Sequence, residues 1–382
     1  MPADHALELV PGWQLWRLAA VRSAGMPLSW LTRLAKTDQP GQALQRLLLE
    51  PRFMSALTWQ NPTLVDNWAA RHAEELRAGR GDRLARRGQR EALLARYAQR
   101  YCAKNETIGA FGPVAWARFE ERATGLGCSG GGGLRRRSVH LEVWAVDALA
   151  ATWSRDPRLL PHLPARLDPA ATVEGRLLRL PRRRPRPVPE TDAAVLALAD
   201  GRPVREISGR IPGAVEVLQR WQAAGAVTLG FPVPIDEHPE EHLRCQVEAV
   251  PDEPLRRRLL AELDALDAAR HAVAAADGPE RLRVALGRLG RHFTAVTGQA
   301  AGRAKAEVSY GRTVAYEDCR RDLDVTVGGD LLDGCAGRSA WSWSRPAGSS
   351  ARSPMRSRTS SSGCSSGWRR GQVTVRYAST RC

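Results

Sequence analysis

The sequence predicts an α+β fold of mixed helices and small sheets that continues into a basic C-terminal tail. Helix-like stretches such as 253–275 and 279–299 carry apolar residues at helical spacing, whereas shorter runs such as 114–119 alternate as half-buried strands do. Residues 190–233 contain three short helical stretches separated by turn residues. At 382 residues, the chain is long enough for two or three small domains with a sizeable core.

The N-terminal third is predicted to be mainly helical. Residues 13–35 read as a short strand or turn followed by a helix, and Asn61 begins a helix that continues to Ala78. Asp82 is the predicted cap of a longer helix over residues 83–104, and a half-buried strand over 114–119 follows it.

The middle of the chain alternates between flexible and regular segments. The glycine-rich residues 125–133 predict a flexible loop or a linker. A second α/β stretch opens at residues 139–153, and 175–180 is a predicted strand. Prolines keep the basic residues 181–189 extended, because proline is excluded from a helix interior.

Residues 190–233 are the clearest local module. Predicted helices over 191–198, 204–211 and 214–224 are separated by turns, of which the first is Asp200-Gly201, and a strand follows at 227–231. Three short helices and a hairpin are typical of a winged helix. The module therefore has two open interpretations from its residues alone: a nucleic-acid reader using residues 215–220, or a structural unit.

Charge and cysteine content narrow the class of protein. The formal net charge is +16, and nine of the arginines lie in residues 336–382, which contain no acidic residue. A basic body suits RNA, an anionic surface or an acidic peptide as partner. The seven cysteines show no metal or disulfide spacing, no signal peptide opens the chain, and no run of about 18 apolar residues exists. We therefore expect a soluble cytoplasmic protein without a membrane span.

The C-terminal segment differs in character from the rest. Residues 336–382 lack Leu, Ile, Phe, Asp, Glu, Lys, Asn and His and are dominated by Ser, Arg and Gly. One interpretation is a disordered basic tail that contacts nucleic acid. The other, which we favour, is out-of-frame translation after about residue 335, because residues 339–344 read in another frame give an apolar run. The predicted divisions are thus 1–122, 139–235, 236–335 and 336–382.

Two charged segments are the candidate functional sites. Arg96, Arg100 and Lys104 lie four residues apart on one predicted helix face, a spacing that suits successive phosphates, although a solvated cationic face has the same pattern. The second segment, residues 310–324, surrounds an apolar run with charge. Its charged members are Arg312, Glu317, Asp318, Arg320, Arg321, Asp322 and Asp324. A buried charge network that aligns a strand with a helix is the structural alternative for this segment.

One further pattern concerns metal binding. His238-Pro-Glu-Glu-His242 has the spacing of a metalloprotease H-x-x-E-H motif, but it contains a proline and begins a helix instead of lying within one. No third ligand is apparent in the sequence, so we expect no metal. Cys319 lies beside Asp318, which disfavours a thiolate, and is predicted to be structural.

Two segments resemble one family. Residues 310–324 (YGRTVAYEDCRRDLD) look like the YxGRTxxYEDCRRD segment of actinobacterial lantibiotic dehydratases. Residues 101–113 (YCAKNETIGAFGP) resemble the RxxxRxTPFGLF element of that family. Arg100 and Lys104 fall on the two arginines of the element. Lysine at the second position keeps the positive charge but loses the bidentate hydrogen bonding of arginine. This difference weakens the case for a direct catalytic role of Lys104.

The resemblance implies a function and a set of roles. In this family an N-terminal domain uses glutamyl-tRNA to esterify Ser and Thr of a ribosomally made precursor peptide, and a separate domain then eliminates glutamate. The implied catalytic residues are Arg100, Lys104 and Asp318. The implied ligands of tRNA or glutamate are Arg96, Arg312, Arg320 and Arg321.

The resemblance also implies partners. Glutamyl-tRNA is the co-substrate and no other cofactor is expected. The winged-helix element would hold the leader of the precursor peptide as an added strand along residues 226–231, with Val227, Leu229 and Phe231 as leader-binding residues. A separate elimination-domain protein and a lanthionine cyclase would complete the reaction sequence. A winged-helix nucleic-acid-binding regulator and an inactive remnant of the dehydratase are the alternatives.

Overall fold

The computed structural model describes residues 5–10, 13–80, 84–105, 109–302 and 313–334. The strands are β1 (Ala6–Val10), β2 (Trp13–Trp16), β3 (Leu18–Arg22), β4 (Val114–Glu120), β5 (Leu126–Ser129), β6 (Leu134–Leu141), β7 (Pro164–Leu167), β8 (Thr172–Glu174), β9 (Leu177–Arg179), β10 (Arg186–Pro187), β11 (Asp200–Pro203), β12 (Val227–Leu229) and β13 (Ala315–Gly328). The helices are α1 (Ser29–Lys36), α2 (Pro40–Arg46), α3 (Pro51–Gln60), α4 (Pro62–Leu64), α5 (Ala70–Arg77), α6 (Arg87–Ala103), α7 (Val143–Trp153), α8 (Glu190–Ala197), α9 (Val204–Arg210), α10 (Ala214–Ala223), α11 (Pro239–Glu248), α12 (Glu253–Ala274) and α13 (Pro279–Thr297).

Helices and small, mainly antiparallel sheets make up the described chain, which is consistent with an α+β fold. Residues 1–333 belong to one compact unit, and of the residues that follow only Gly334 is described. The predicted tail therefore lies outside the described residues, and the predicted domain boundaries stay predictions. Among the described residues, no helix has the length and apolar character needed to cross a bilayer.

Most predicted helices lie where the apolar periodicity indicated. The helix start expected at Asn61 is confirmed, and the Asn61 side chain caps α4 by accepting a hydrogen bond from the Leu64 amide at 3.0 Å. A π-helical turn, Val65–Ala69, then joins α4 to α5. The helix predicted over 83–104 begins later, at Arg87, after a left-handed Arg86 (φ 51°); Asp82 lies outside the described residues.

Two predicted irregular segments are strands instead. The expected loop at 125–133 contains β5, which pairs antiparallel with β13. Glycine permits this close pairing: Gly130 has φ +125°, and a Cβ there would lie 2.5 Å from the Asp322 carbonyl oxygen. The expected turn at Asp200-Gly201 is the start of β11, which pairs with β7. Both predictions failed because pairing with a distant strand is not visible in local sequence.

The central sheet is organised around β13. Its strand order is β3-β4-β13-β5, and β6 also pairs with β13. β4 runs parallel to β13, whereas β5 and β6 run antiparallel to it. Because β13 is 14 residues long, β6 pairs with its first half and β5 with its second half.

Three apolar cores support this arrangement. One core joins β6, α7 and α11–α13, and it includes Ala315 at the start of β13. A second core, from Met26 to Phe111, packs the N-terminal helices around α6. The third, from Ala165 to Leu229, fills the space between helices α8–α10 and the three-stranded sheet β11-β7-β12. The chain segment 165–229 thus has a core of its own.

Candidate functional site

The outer face of β6 and β13 carries a polar row. Tyr316, Asp318 and Arg320 lie directly opposite His140, Ser138 and Arg136, respectively. Directly opposed residues of an antiparallel pair project from the same face of the sheet. Asp318 and Arg320 are exposed, whereas Glu317 and Cys319, which alternate with them, are buried on the inner face.

Arg320 has a second arginine across the strand pair. Arg136 is its direct partner on β6, and both side chains are exposed. Like charges placed directly opposite one another repel, so this pair favours an anion between or beside the guanidinium groups. Sequence reasoning missed Arg136, because only the register of β6 against β13 puts it beside Arg320.

Glu317 joins the two segments that carried the family resemblance. Its carboxylate accepts a hydrogen bond from the Ala110 amide at 2.8 Å, across 207 residues of sequence. It also forms an ion pair with Arg137. Arg137 in turn donates to the Ala274 carbonyl oxygen at 2.8 Å, which satisfies a free acceptor at the C-terminus of α12. The described parts of segments 101–113 and 310–324 therefore belong to one structural unit.

A short segment after β3 completes this unit. The Gly25 amide donates to the Phe111 carbonyl oxygen at 2.9 Å, and the Met26 amide donates to the Tyr101 carbonyl oxygen at 3.0 Å. A Cβ on Gly25 would lie 2.3 Å from the Phe111 Cα atom, so only glycine allows this approach. The segment 24–26 thus packs directly on the turn that Glu317 holds.

Arg321 and Arg52 converge on the same segment. Arg321 donates to the Ala24 carbonyl oxygen, and Arg52 donates to the Gly25 carbonyl oxygen at 3.0 Å. Burial, together with the nearby positive charge of Arg52, lowers the pKa of Arg321. The Arg321 Nε is buried and makes no hydrogen bond within the described part of the chain. Sequence reasoning missed Arg52, since no motif contains it.

The predicted residues of α6 lie at its C-terminal end. Arg100 is half-buried; with the Gln60 amide oxygen turned toward it, the Arg100 Nε donates to that oxygen at 3.0 Å. Arg96 and Lys104 are exposed. Lys104 makes no hydrogen bond to Asp318 in the segments that the structure describes. Arg312 lies outside the described residues, so the structure brings together the two segments but not every predicted side chain.

Asp322 and Asp324 have structural partners. Arg135 contacts both carboxylates, at 2.9 Å from Asp322 Oδ1 and 2.6 Å from Asp324 Oδ2. The Gly131 amide also donates to Asp322 at 2.9 Å. These interactions hold the glycine-rich connection between β5 and β6 against β13.

The buried thiols are unsuited to nucleophilic chemistry. Burial raises the pKa of Cys102 to about 11. For Cys319, burial and the carboxylate of Glu317 raise the thiol pKa further. Both thiols therefore stay protonated near neutral pH, and the thiolate is the reactive form.

In the edge strand β12, the side chains are buried, whereas some of the backbone polar groups face the edge of the sheet. Val227 and Leu229 are buried in the third core, and Phe231 is buried in the first. The Ala226 carbonyl accepts from the Asp168 amide, and the Gly230 amide donates to the Pro164 carbonyl, so bonding alternates along the pair. That alternation directs the backbone N–H and C=O groups of Val227 and Leu229 away from β7, toward the sheet edge.

Arg220, which supplies the positive charge of helix α10, forms an ion pair with Asp192 of α8. The buried Asp192 carboxylate accepts from Arg220 at 2.8 Å and from the Trp221 indole at 2.8 Å. The exposed residues Glu216, Gln219 and Gln222 add no positive charge to this helix. The surface of α10 therefore lacks the cationic character of a DNA-recognition helix.

A histidine cluster lies at the end of the same sheet face. His140, Glu237 and His238 each offer a ligand atom, and the three atoms lie within 4.8 Å of one another. His140 also stacks on Tyr316, with ring centroids 5.3 Å apart. His140 was missed because it is separated by about a hundred residues from the His238 motif and no spacing rule connects them.

Comparison with known proteins identifies one matching family model and several similar solved structures. Residues 49–218 match the family model described as lantibiotic dehydratase, N terminus. The fold is similar to the tRNA-dependent lantibiotic dehydratase MibB from Microbispora sp. 107891, with a TM-score of 0.58 and 20% identity, over 85% of this chain and 30% of that chain. A search of curated protein sequences found no match.

A second structural relative is the glutamylation domain TbtB from thiomuracin biosynthesis. The TM-score is 0.52 at 20% identity, over 76% of this chain and 35% of that chain. For the same domain bound to 5′-phosphodesmethylglutamycin, the TM-score is 0.51 at 18% identity, with the same coverage. The chain therefore spans about a third of the length of the structures it matches. The resemblance inferred from the sequence is confirmed for residues 49–218, which match the N-terminal region of the lantibiotic dehydratases, and the fold is similar to that of MibB.

Proposed function

We propose that this chain transfers glutamate from glutamyl-tRNA to Ser and Thr side chains of a ribosomally made precursor peptide. The observation that carries the proposal is the hydrogen bond of 2.8 Å between Glu317 and Ala110. It makes one unit of the two segments that resemble the family's glutamylation elements. Elimination of glutamate would be the task of a separate domain or protein, and a lanthionine cyclase would act later.

The reaction is a transesterification. The substrate hydroxyl attacks the glutamyl carbonyl carbon, the ester bond to the tRNA ribose breaks, and the ribose oxygen leaves with the proton. The new ester makes the Ser or Thr oxygen a better leaving group than a free hydroxyl. We assign Asp318 to orienting the substrate hydroxyl, because its exposed carboxylate lies on the polar face of β13.

The cationic side chains are assigned to binding the reacting ester and the anionic groups of glutamyl-tRNA. Arg100 and Lys104 would act on the reacting ester, and Arg96 would contact the tRNA backbone. Arg320, with Arg136 beside it, suits a phosphate or the glutamyl carboxylate, because guanidinium groups bind such anions through paired hydrogen bonds. Arg312 and Arg321 are the remaining residues predicted to bind tRNA or glutamate.

Precursor binding is assigned to the module around β12. We propose that residues 186–233 act as a winged-helix element whose edge strand receives the leader peptide. The outward N–H and C=O groups of Val227 and Leu229 support strand addition. Their buried side chains, with that of Phe231, hold the strand in place and do not contact the peptide. The paired state of Arg220 favours this role over DNA reading.

Hydrogen exchange tests leader capture directly. In the free protein, the amides of Val227 and Leu229 should exchange faster than that of Gly230, which bonds to β7. Adding a synthetic leader peptide of a candidate precursor should slow exchange at Val227 and Leu229. Unchanged exchange at saturating leader would remove β12 as the binding edge.

Mass spectrometry tests the transfer itself. The purified chain, charged tRNA for glutamate and the full precursor should yield peptides that gain glutamyl groups on Ser or Thr. Asp318→Asn and Arg100→Ala should abolish the gain, whereas Asp324→Asn, which changes an exposed structural carboxylate, should preserve it. Tight duplex DNA binding without any glutamyl gain would instead support the regulator alternative, and neither activity would support the remnant.

A further inference from the structure

The fold assembles a group of metal-ligating side chains that takes only His238 from the His238-Pro-Glu-Glu-His242 motif. His140 comes from β6, and Glu237 and His238 come from the segment that precedes α11. The ligand atoms of the three residues lie within 4.8 Å of one another. The His140 Nε2 is 3.4 Å from the Glu237 Oε1. Two ligands of a tetrahedral zinc ion, each about 2.1 Å from the metal, are about 3.4 Å apart.

His140 is the buried member of the cluster. It is 3% exposed, and neither ring nitrogen makes a hydrogen bond within the part of the chain described. Buried polar groups without a partner are rare, since each one loses its hydrogen bonds to water. A cation held between His140, the exposed Glu237 and the half-buried His238 would give a ring nitrogen of His140 a partner.

The surroundings also favour a cation. The His238 Nδ1 lies 3.4 Å from Glu240 Oε1, which leaves Nε2 to face a metal, the arrangement in which a carboxylate orients a metal-bound histidine. The second oxygen of Glu240 is buried and has no hydrogen-bond partner in the described residues. The cluster therefore contains two imidazoles, one direct carboxylate and one supporting carboxylate.

We propose that His140, Glu237 and His238 form a site for a divalent transition metal of the zinc class. Its fourth coordination position is open to water or to an anion. Nitrogen ligands with one carboxylate suit zinc or cobalt, whereas magnesium and calcium prefer all-oxygen sites. Bound metal would fasten the segment that precedes α11 to β6, beside the polar face that carries Asp318. The site does not depend on the proposed glutamyl transfer.

Cobalt provides a direct probe. The full chain, treated with a chelator and dialysed, is titrated with Co²⁺ and then with Zn²⁺. The visible bands of four-coordinate cobalt should appear at one equivalent and vanish as zinc displaces it. Glu237→Gln and His238→Asn, both at exposed or half-exposed side chains, should weaken zinc affinity about a hundredfold or more.

His242→Asn is the matched control. His242 belongs to the same motif but pairs with Asp236 at 2.7 Å, outside the cluster. It should keep the wild-type affinity and the wild-type increase in melting temperature on adding zinc. The proposal is overturned if wild type shows no cobalt bands, or if His242→Asn loses the metal while Glu237→Gln retains it.

Discussion

At the scale of single residues, Glu317 decides how the candidate site is assembled. It is a buried carboxylate with an amide partner from the 109–111 turn and a guanidinium partner from β6. Removing one member of a buried ion pair costs more than the pair contributes, because the remaining charge loses its compensation. Exposed pairs such as Arg135 with Asp324 contribute far less.

Glu317→Ala should therefore lower the free energy of unfolding by about 3 kcal/mol or more, since it leaves the Arg137 charge and the Ala110 amide without a partner. Urea unfolding followed by circular dichroism measures the change. Asp324→Ala is the control and should leave the midpoint nearly unchanged. Equal midpoints for the two variants would contradict the role assigned to Glu317.

Cysteine labelling tests burial on β13 and α6. Cys128 and Cys245 are exposed, whereas Cys102 and Cys319 are buried with raised thiol pKa values. Because the thiolate reacts, a maleimide at neutral pH should label the first two quickly and the last two only after unfolding. Peptide mapping by mass spectrometry identifies the labelled sites. Rapid labelling of Cys319 in the folded protein would show that the inner face of β13 is open.

At the scale of elements, the fold depends on how closely the segment 24–26 approaches the end of α6. The Gly25 backbone contacts Phe111 and Ala110 without space for a side chain. The same segment accepts hydrogen bonds from Arg52 and Arg321. Displacing it would therefore disturb the turn, two cations and the end of α6 together.

Gly25→Ala should lower the free energy of unfolding by about 1 to 3 kcal/mol, because the added methyl group meets backbone atoms that cannot move aside. Gly88→Ala, in α6, has nothing within 4 Å of the new methyl group and should raise stability by about 0.5 to 1 kcal/mol. Thermal and urea unfolding of both variants measure these opposite changes in stability. A stable Gly25→Ala protein would place residues 24–26 elsewhere.

At the scale of the whole molecule, net charge and local charge have different consequences. A chain with a formal charge of +16 binds any nucleic acid to some degree at low salt. Specific tRNA binding would require particular cations to contact phosphates. The salt dependence of affinity distinguishes binding through net charge from binding through particular cations. Each phosphate contact adds to the slope of log affinity against log salt concentration.

Arg96→Ala should weaken tRNA binding and reduce the slope of log affinity against log salt by about 0.7 to 0.9. Arg257→Ala removes the same charge from an exposed position on α12, where Arg257 pairs with Glu253, and should change the slope little. Fluorescence anisotropy with labelled tRNA at several salt concentrations gives both slopes. Equal losses for the two variants would indicate binding through net charge alone.

Local signals in the sequence predicted many of the elements. Apolar periodicity located α12 and α13 to within two residues at their ends, and the helix start at Asn61 was predicted correctly. β5 was not predicted, because glycine-rich residues have the composition of a loop and become a strand only beside β13. The register that sets Arg136 against Arg320 was equally invisible, since sheet pairing joins residues far apart in sequence.

The sequence by itself determined the helical elements, the basic charge and the two segments that resemble the lantibiotic dehydratases. Only the tertiary structure decided that these segments share one unit, through Glu317, and that His140 meets Glu237 and His238. The physical reason is the range of the interactions. Helices, caps and turns depend on neighbours a few residues away, whereas a buried ion pair or a metal-ligand cluster exists only after packing brings distant side chains together.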